Sequence, residues 1–420
     1  MLRGENGYNT VPLLTVGDTV PAAAPASAYT PVGILDGIGA TKVDATTDRI
    51  FVNHEVGPHQ GALYKVSNGQ GGEFPPQGAR ISYFDIDTAS KAIMRGGVAY
   101  SMIYDASRRI AANNGFAVSF RESRSGPMTT PDSDDGFNRF CSGSLYEANA
   151  FGAGKGLTQT VYFAGEEVGG ISSAAGGQIW ALDVGSGALW AVPAMGRGAW
   201  ENVTEVDTGD TTHVAFILAD DTAPFDAGGD ADLERAPLYL YVGEKSAAPD
   251  ASFLEKNGLA NGRLFVWVAE DAGLSVKTFK GHGAAAKGKW VEIDNRRNPE
   301  QASEDGSTGF DKYGYPTQRT LWLRAKEKGA FEFTRPEDLH TNPAYGAQIV
   351  LADTGNKLTA NRDGTVYTIL YDTNADPAKA LRNPDNVVWS TDGFIYFRKT
   401  APRMNCSPPP IARTKRKPRS

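Results

Sequence analysis

Short runs of apolar and polar residues in alternation recur along most of the chain, and each run is bounded by Gly, Asp, Asn or Pro. Such runs are typical of β-strands joined by tight turns. The predicted strands are 49–52, 80–87, 160–163, 178–183, 214–218, 238–242, 264–268, 348–352, 365–370, 386–389 and 394–397. Periodicity that would predict long helices is scarce, so alternating βαβ units are not expected.

Several predicted strands share one pattern, in which an alternating strand ends in an acidic residue and a turn follows. The segment from Ile179 to Leu189 is the clearest hairpin of this kind, and the segment from Tyr83 to Ile93 echoes it. Many short strands over such a length favour an all-β fold, either a pair of sandwiches or a β-propeller. We favour the propeller because no Ser/Gly-rich or Pro-rich stretch divides the chain. One domain is therefore expected over 31–398, after an N-terminal arm at 1–30.

Composition and charge make some classes of function unlikely. The chain has 420 residues, of which 40% are hydrophobic and 22% charged, as in soluble globular proteins. It has no run of about 18 apolar residues that would predict a membrane span. A net charge of −7 disfavours nucleic-acid binding, which needs a cationic surface, and suits carboxylate sites for hard cations.

The two ends of the chain and its cysteines add further constraints. Residues 399–420 are basic and rich in proline, and we interpret them as a solvated tail or a frameshifted segment rather than a nucleic-acid-binding arm. The N-terminus as written has no apolar segment typical of a signal peptide. Cys141 and Cys406 are the two cysteines, which excludes a small disulfide framework, and the five histidines lack the spacing of a typical zinc site.

Acidic side chains gather at the ends of predicted strands, where different propeller blades would bring them to the mouth of a central channel. The clusters are Asn53-His54-Glu55, residues 134–143 around Cys141, Glu166-Glu167, residues 196–202, Ala219-Asp220-Asp221, Arg335-Pro336-Glu337, residues 382–386 and Thr391-Asp392-Gly393. Taken singly, each is also what a solvated strand end would show, and a lone cysteine is usually an inert buried thiol. Successive strand residues face opposite sides, so only one of Glu166 and Glu167 is expected in a shared site.

In their order along the chain, these clusters resemble the PhoX-type alkaline phosphatases, a family of calcium- and iron-dependent six-bladed propellers. The resemblance runs from about residue 53 to residue 396. The matching elements are NHE at 53–55, NCxGG at 140–144, EE at 166–167, GRF-x-HE at 196–201, GDD at 219–221, RPE at 335–337, PDN at 384–386 and TDG at 391–393. Phe140, Ser144 and Trp200 depart from the family pattern.

The resemblance implies a site as well as a fold. It implies two ferric ions bridged by Cys141, with Glu201 and Glu337 as iron ligands. Further ligands of iron or calcium would be Glu55, Glu166, Glu167, Asp220 and Asp385. Arg335 and Arg197 would face the substrate phosphate. It also implies six blades and export to the periplasm or beyond, and the change of composition near residue 399 suggests that the last blade is incomplete.

The chemistry of this residue set agrees with hydrolysis of phosphate monoesters. Clustered cations lower the pKa of bound water and neutralise phosphate oxygens, and an arginine fork matches those oxygens. The hypothesis is therefore a monomeric phosphatase for small phosphorylated substrates, with a metal-bridging oxygen as nucleophile. Two alternatives stay open, a calcium-stabilised propeller that binds a partner without chemistry, and another metal-dependent hydrolase such as a lactonase or phosphodiesterase. Cys141 partly distinguishes these hypotheses, because a site that binds calcium alone does not require a thiolate ligand.

Overall fold

The protein is described by a computed structural model that covers most of the chain. The described residues are 11–23, 26–118, 136–169, 173, 175–221, 235–353, 356–361, 366–372, 384–399 and 414–415. Regular structure in them is almost entirely β, which confirms the predicted all-β class. The helices are Phe253–Lys256 and Gln318–Glu327, with single 3-10 turns at Asn114–Phe116, Pro193–Met195 and Pro299–Gln301. None of the helices described is long and apolar enough to cross a membrane.

Most strands form antiparallel meanders, which we call blades one to five in chain order. Blade one contains Leu35–Lys42, Thr47–His54, Arg80–Asp87 and Ile93–Val98. Blade two contains Phe140–Tyr146, Val161–Glu166, Ile179–Asp183 and Ala188–Ala191. Blade three contains Trp200–Val206, His213–Asp220, Ala236–Glu244, Arg263–Ala269 and Ala285–Ile293. Blade four contains Pro336–Thr341, Gln348–Asp353, Asn356–Asn361 and Val366–Asp372. Blade five contains Pro384–Trp389, Phe394–Lys399 and Thr414–Lys415.

Short strands connect or extend these blades. Met102–Tyr104 pairs in parallel with the last strand of blade two and continues through Val66–Ser67 to Glu73–Phe74. The last strand of blade three also pairs with Val366–Asp372 of blade four. The remaining short strands are Val20–Pro21, Ala28–Tyr29 and Glu332–Phe333.

The first strand of each blade lies on the inside of the ring. The first strands of blades one and two pack together, and those of blades two and three, three and four, and four and five do the same. Radial succession of antiparallel meanders around inner strands is the architecture of a β-propeller, as predicted. The described residues contain five such groups, and a sixth blade stays a prediction.

Apolar residues from the middle strands fill the spaces between blades. All six residues of Val161–Glu166 are buried, and so are all five of Ile179–Asp183. Phe163 of blade two and Phe216 of blade three pack with ring centroids 5.2 Å apart. The two predicted hairpins are confirmed, because Asp183 pairs with Ala188 and Ile86 with Ile93.

Part of the predicted N-terminal arm packs on blade one. Val20 is buried in a small cluster with Val52 and Phe84. The Tyr29 hydroxyl lies 2.5 Å from the Ser82 hydroxyl. Of the predicted C-terminal tail, only Lys399 and the strand Thr414–Lys415 fall within the described residues.

Each inner strand carries a β-bulge near its beginning. Pairing with the second strand shifts register between Leu35 and Ile38, Phe140 and Gly143, Trp200 and Asn202, Pro336 and Leu339, and Pro384 and Val387. The residues inside these irregularities include Asp36, Cys141, Glu201, Glu337 and Asp385. A bulge re-aims a side chain out of the regular alternation, and bulges are common next to functional sites.

Candidate metal centre

Cys141 lies at the centre of a group of carboxylates. Its Sγ is 3.4 Å from Asp36 Oδ2 and 3.4 Å from Glu201 Oε1. Ligand atoms of Asp36, Glu55 and Cys141 lie within 4.8 Å of one another, and those of Cys141, Glu167 and Glu201 do the same. Two three-residue groups that share one sulfur atom have the connectivity needed for two metal ions bridged by a thiolate.

The backbone just before three of the bulges is in the left-handed region. Ile34, Arg139 and Arg335 have φ values of 46°, 49° and 103°, and each stands two residues before an inner-strand residue of the site. Such conformations cost about 1–3 kcal/mol each and persist where the surroundings enforce them. A residue with positive φ therefore precedes each of the three bulges that carry Asp36, Cys141 and Glu337.

Asn53 fixes the backbone of the bulge at Cys141. Its side-chain Nδ2 donates to the carbonyl oxygens of Cys141 at 3.2 Å and Ser142 at 2.9 Å. The neighbouring His54 is turned into blade one, where Nε2 lies 2.6 Å from the Ser82 hydroxyl and Nδ1 lies 3.0 Å from Val32 O. Burial lowers the pKa of His54 to about 4, so this ring is neutral and holds the fold.

Glu201 has a buried carboxylate that a bound cation would stabilise. Its Oε2 is buried and has no hydrogen-bond partner among the described residues. Burial, followed by the negative charges of Glu167 and Glu337, raises the pKa of Glu201 well above its usual range. Burial, and then the carboxylate of Glu201, likewise raises the pKa of the Cys141 thiol. A bound cation would reverse both effects, since metal ligands are deprotonated when they bind.

The donor types fit a transition metal. Carboxylates alone suit calcium or magnesium, whereas a thiolate among them favours a transition metal, of which iron is one. The group around Cys141 therefore fits the iron that the resemblance implies better than calcium alone.

Two arginines border this group. Arg335 donates from Nε and Nη2 to the two oxygens of Asp221, at 2.8 and 3.1 Å, and its Nη2 is 3.0 Å from Glu337 Oε1. Arg139 Nη2 is 2.6 Å from Glu55 Oε1 and also pairs with Glu167. The side chains of Arg335 and Arg139 are 33% and 42% exposed.

Only one member of the adjacent glutamate pair contacts the group around Cys141, as the alternation of strand residues predicts. Glu167 joins it, and burial together with Asp221 and Glu55 raises the pKa of Glu167 to about 7 against the opposing effect of Arg139. Glu166 turns the other way. Its two oxygens accept from the backbone amides of Asn138 at 3.0 Å and Gln178 at 3.1 Å.

Two further residues expected in the site have different contacts. Arg197 is 1% exposed, and its Nη2 donates to Asp311 Oδ2 at 2.6 Å in a fully buried ion pair. Asp220 Oδ1 accepts from the amide of Ala199 at 2.8 Å and from Gln318 Nε2 at 3.0 Å. These contacts brace the backbone that leads to Glu201. Among the described residues, neither Arg197 nor Asp220 belongs to the metal-ligand groups.

The structure places the backbone of Asp385 in the bulge of blade five, at the position that corresponds to Glu337 in blade four. Its side chain is outside what the structure describes, as are Asp134, Asp135 and Asn383 of the sequence clusters.

Three residues of the site were missed from the sequence. Asp221 and Arg139 lie inside clusters that the sequence singles out, but neither was assigned a role. Asp36 lies in Leu35–Lys42, a strand with two glycines and mixed exposure. The sequence gives only weak evidence for a role of Asp36, which precedes a glycine in a segment without apolar alternation.

Comparison with solved structures supports the fold. The structure of Pseudomonas fluorescens PhoX in complex with vanadate, a transition state analogue, matches with a TM-score of 0.54 and 12% sequence identity, over 89% of this chain and 75% of that one. A calcium structure of Trichoderma reesei Carbohydrate-Active Enzymes Family AA12 matches with a TM-score of 0.36 and 10% identity, over 87% and 90% of the two chains. No protein-family model and no curated protein matches the chain. At this identity the first likeness shows a shared fold, and the chemistry must be argued from the site.

Proposed function

We propose that the protein is a metal-dependent phosphatase that hydrolyses phosphate monoesters at the group around Cys141. The observation that carries this proposal is the sharing of Cys141 Sγ between two groups of carboxylate ligands. That connectivity suits a pair of metal ions, and paired ions are a recurrent solution for phosphoryl transfer.

Within this proposal, Asp36 and Glu55 would hold one ion, and Glu167 and Glu201 the other, with Cys141 common to both. The ions, which we propose to be ferric with calcium nearby, would neutralise phosphate oxygens and lower the pKa of water. Glu337 and Asp385, placed in bulges of the same kind, are proposed as additional ligands. Glu166, Asp220 and Arg197 are left out because their described contacts serve the backbone or a buried ion pair.

Arg335 is proposed to orient the substrate phosphate. Asp221 holds one edge of its guanidinium through two hydrogen bonds, which fixes the plane of the fork. A planar, oriented guanidinium recognises phosphate oxygens better than a flexible ammonium does. Arg139, on the other side of the group, is proposed to supply a second positive charge. The vanadate complex of PhoX supports a phosphate-like ligand at a site of this fold.

The proposal extends to the setting of the enzyme. We propose a monomer that acts in the periplasm or outside the cell on small phosphorylated molecules. Extracellular calcium would suit weak carboxylate sites of this kind.

The test combines metal content with activity. Purified protein is analysed for iron and calcium and assayed for phosphate release from p-nitrophenyl phosphate. Cys141→Ala and Glu337→Gln are compared with Glu147→Gln, a change outside the site. We expect iron in the wild type and a fall in kcat/KM of about 100-fold or more in the first two variants, since even outer partners of metal sites cost up to this factor.

Full activity in correctly folded Cys141→Ala and Glu337→Gln proteins would refute the proposal. Calcium without iron, and no phosphate release, would favour the non-catalytic binding propeller. Iron with activity on lactones or phosphodiesters alone would favour the other hydrolase.

A further inference from the structure

A cavity lies at the outer edges of blades two and three, and none of its lining residues belongs to the group around Cys141. It is open to solvent and has a volume of about 1000 Å³, at the upper end of the range of small-molecule sites. Its wall is built from residues 106–108, 260–263 and 292–297, from Tyr315 and from the helix Gln318–Glu327 with the residue that follows it.

Positive charge dominates the rim of this cavity, although the chain as a whole carries a net charge of −7. Six cationic side chains contribute to the lining, namely Arg108, Arg263, Arg296, Arg297, Arg324 and Lys328. The lining carboxylates are Glu292, Asp294 and Glu327. We call this feature the cationic cavity.

Carboxylates neutralise the rim only in part, and Arg108 is paired with Glu255 at 3.8 Å. Asp294 is shared by Arg296, at 2.9 Å, and Arg324, at 4.0 Å. Glu292 is 3.3 Å from Arg263. Within the described part of the chain, neither Arg297 nor Lys328 has a carboxylate oxygen within 4.0 Å. Such convergence of like charges costs free energy unless an anion compensates it.

Beneath the charged rim the floor is apolar and braced. Tyr315 and Ile293 are buried at 7% and 2% exposure. Asn295 Nδ2 donates to Ala194 O at 2.7 Å and to Gly262 O at 3.2 Å, which ties three segments of the floor together. The guanidinium carbon of Arg297 lies 5.9 Å from the centroid of the Tyr315 ring. A ligand with a flat ring and charged groups matches this layering.

We propose that the cationic cavity binds a small organic molecule that carries a ring and two or more phosphate groups. The phosphates would pair with Arg297, Lys328 and their neighbours, and the ring would lie over the floor. Arginine forks match phosphate oxygens. This binding site is separate from the proposed metal centre and does not depend on its activity.

The test uses calorimetry to measure ligand binding to the purified metal-containing protein. The probe is adenosine 5′-(β,γ-methylene)triphosphate, which resists phosphatases. Adenosine is the probe without phosphates. The Arg297→Glu/Lys328→Glu variant is compared with the matched double reversal Lys42→Glu/Lys91→Glu on exposed positions of blade one. Arg335→Gln reports on binding at the metal centre, and melting curves check that each variant is folded.

We expect the triphosphate analogue to bind more tightly than adenosine and to lose affinity as salt is added. In the cavity variant the Kd of the triphosphate analogue should rise by about tenfold or more. The phosphatase activity of this variant should equal that of the wild type. The blade-one variant and Arg335→Gln should keep the wild-type Kd. An unchanged Kd in the cavity variant, or loss of binding in Arg335→Gln instead, would overturn the proposal.

Discussion

Gly37 of blade one and Gly143 of blade two are in backbone contact. A Cβ atom on Gly37 would lie 1.9 Å from Gly143 N and 2.7 Å from Cys141 O. The Tyr162 hydroxyl, which donates to Gly37 O at 2.9 Å, closes the same contact from the side. Asp36 and Cys141 therefore come within reach of each other because two side chains are missing between their strands.

Gly37→Ala is expected to push the two inner strands apart. Overpacking of this kind lowers the free energy of unfolding by about 1–3 kcal/mol, and the iron content should fall as Asp36 moves away from Cys141. Urea denaturation and metal analysis measure the two effects. Gly33→Ala is the control, since nothing lies within 4 Å of a Cβ there. Equal stability and metal content in both variants would show that the close contact is dispensable.

Arg335→Lys tests whether the planar guanidinium of Arg335 is needed, and not only its positive charge. Lysine keeps a positive charge but cannot make the paired contact with both oxygens of Asp221, so the group that is proposed to meet the phosphate loses its fixed plane. We expect kcat/KM for a phosphate monoester to fall by about 100-fold, as when one oriented donor is removed from a transition state, at unchanged iron content. Kinetics comparable to wild type in a fully metal-loaded variant would exclude an orienting role.

Glu205 on the inner strand of blade three should make stability depend on pH. Burial raises its pKa to about 8, in spite of the amide of Leu157 and the charge of Lys245. Because the folded protein holds this proton more tightly than the unfolded chain, the contribution to stability is full below the unfolded pKa, about 4.5. It is lost as pH rises toward 8.

Glu205→Gln should remove the contribution of Glu205, at most about 1.4 kcal/mol per pH unit, so that the free energy of unfolding falls less steeply between pH 5 and pH 8 than in wild type. Denaturation across this range compares the variant with wild type and with Glu300→Gln at an exposed position. A slope in Glu205→Gln as steep as in wild type would assign the pH dependence to other groups.

Asn53→Asp should loosen the bulge at Cys141. The change replaces a donor by an acceptor that faces the carbonyls of Cys141 and Ser142, and a buried acceptor without a donor costs about 1–3 kcal/mol. Asn53→Ala removes the donor without that repulsion and should be less destabilised. Denaturation ranks the two variants, and the reverse order would mean that the hydrogen bonds to the bulge contribute little.

The sequence predicts the middle strands of the blades better than the inner ones. A strand such as Ile179–Asp183 is buried on both faces, so it shows as an apolar run that any pattern search finds. Leu35–Lys42 and Pro336–Thr341 border the channel and carry glycine or charged residues. Their alternation is broken, so they were not predicted as strands, and Asp36 was missed with them.

The motifs single out residues that lie close together in the structure, but they do not predict the contacts of those residues. The motifs pointed to Cys141 and Glu201, which lie together. They could not show that Arg197 would pair with Asp311, a partner 114 positions away. Local alternation, in contrast, predicted that only one of Glu166 and Glu167 would join the group, although it did not say which.

The bulges at the start of the inner strands divide each strand into two independent parts. The regular part keeps its register with the rest of the blade, and the residue in the bulge is released from that constraint. An exchange at 36, 141, 201 or 337 would therefore alter what the channel mouth holds while the packing between blades is preserved. The ring thus assigns two tasks to separate residues: the regular parts of the strands hold the blades together, and the bulges carry the side chains of the candidate site.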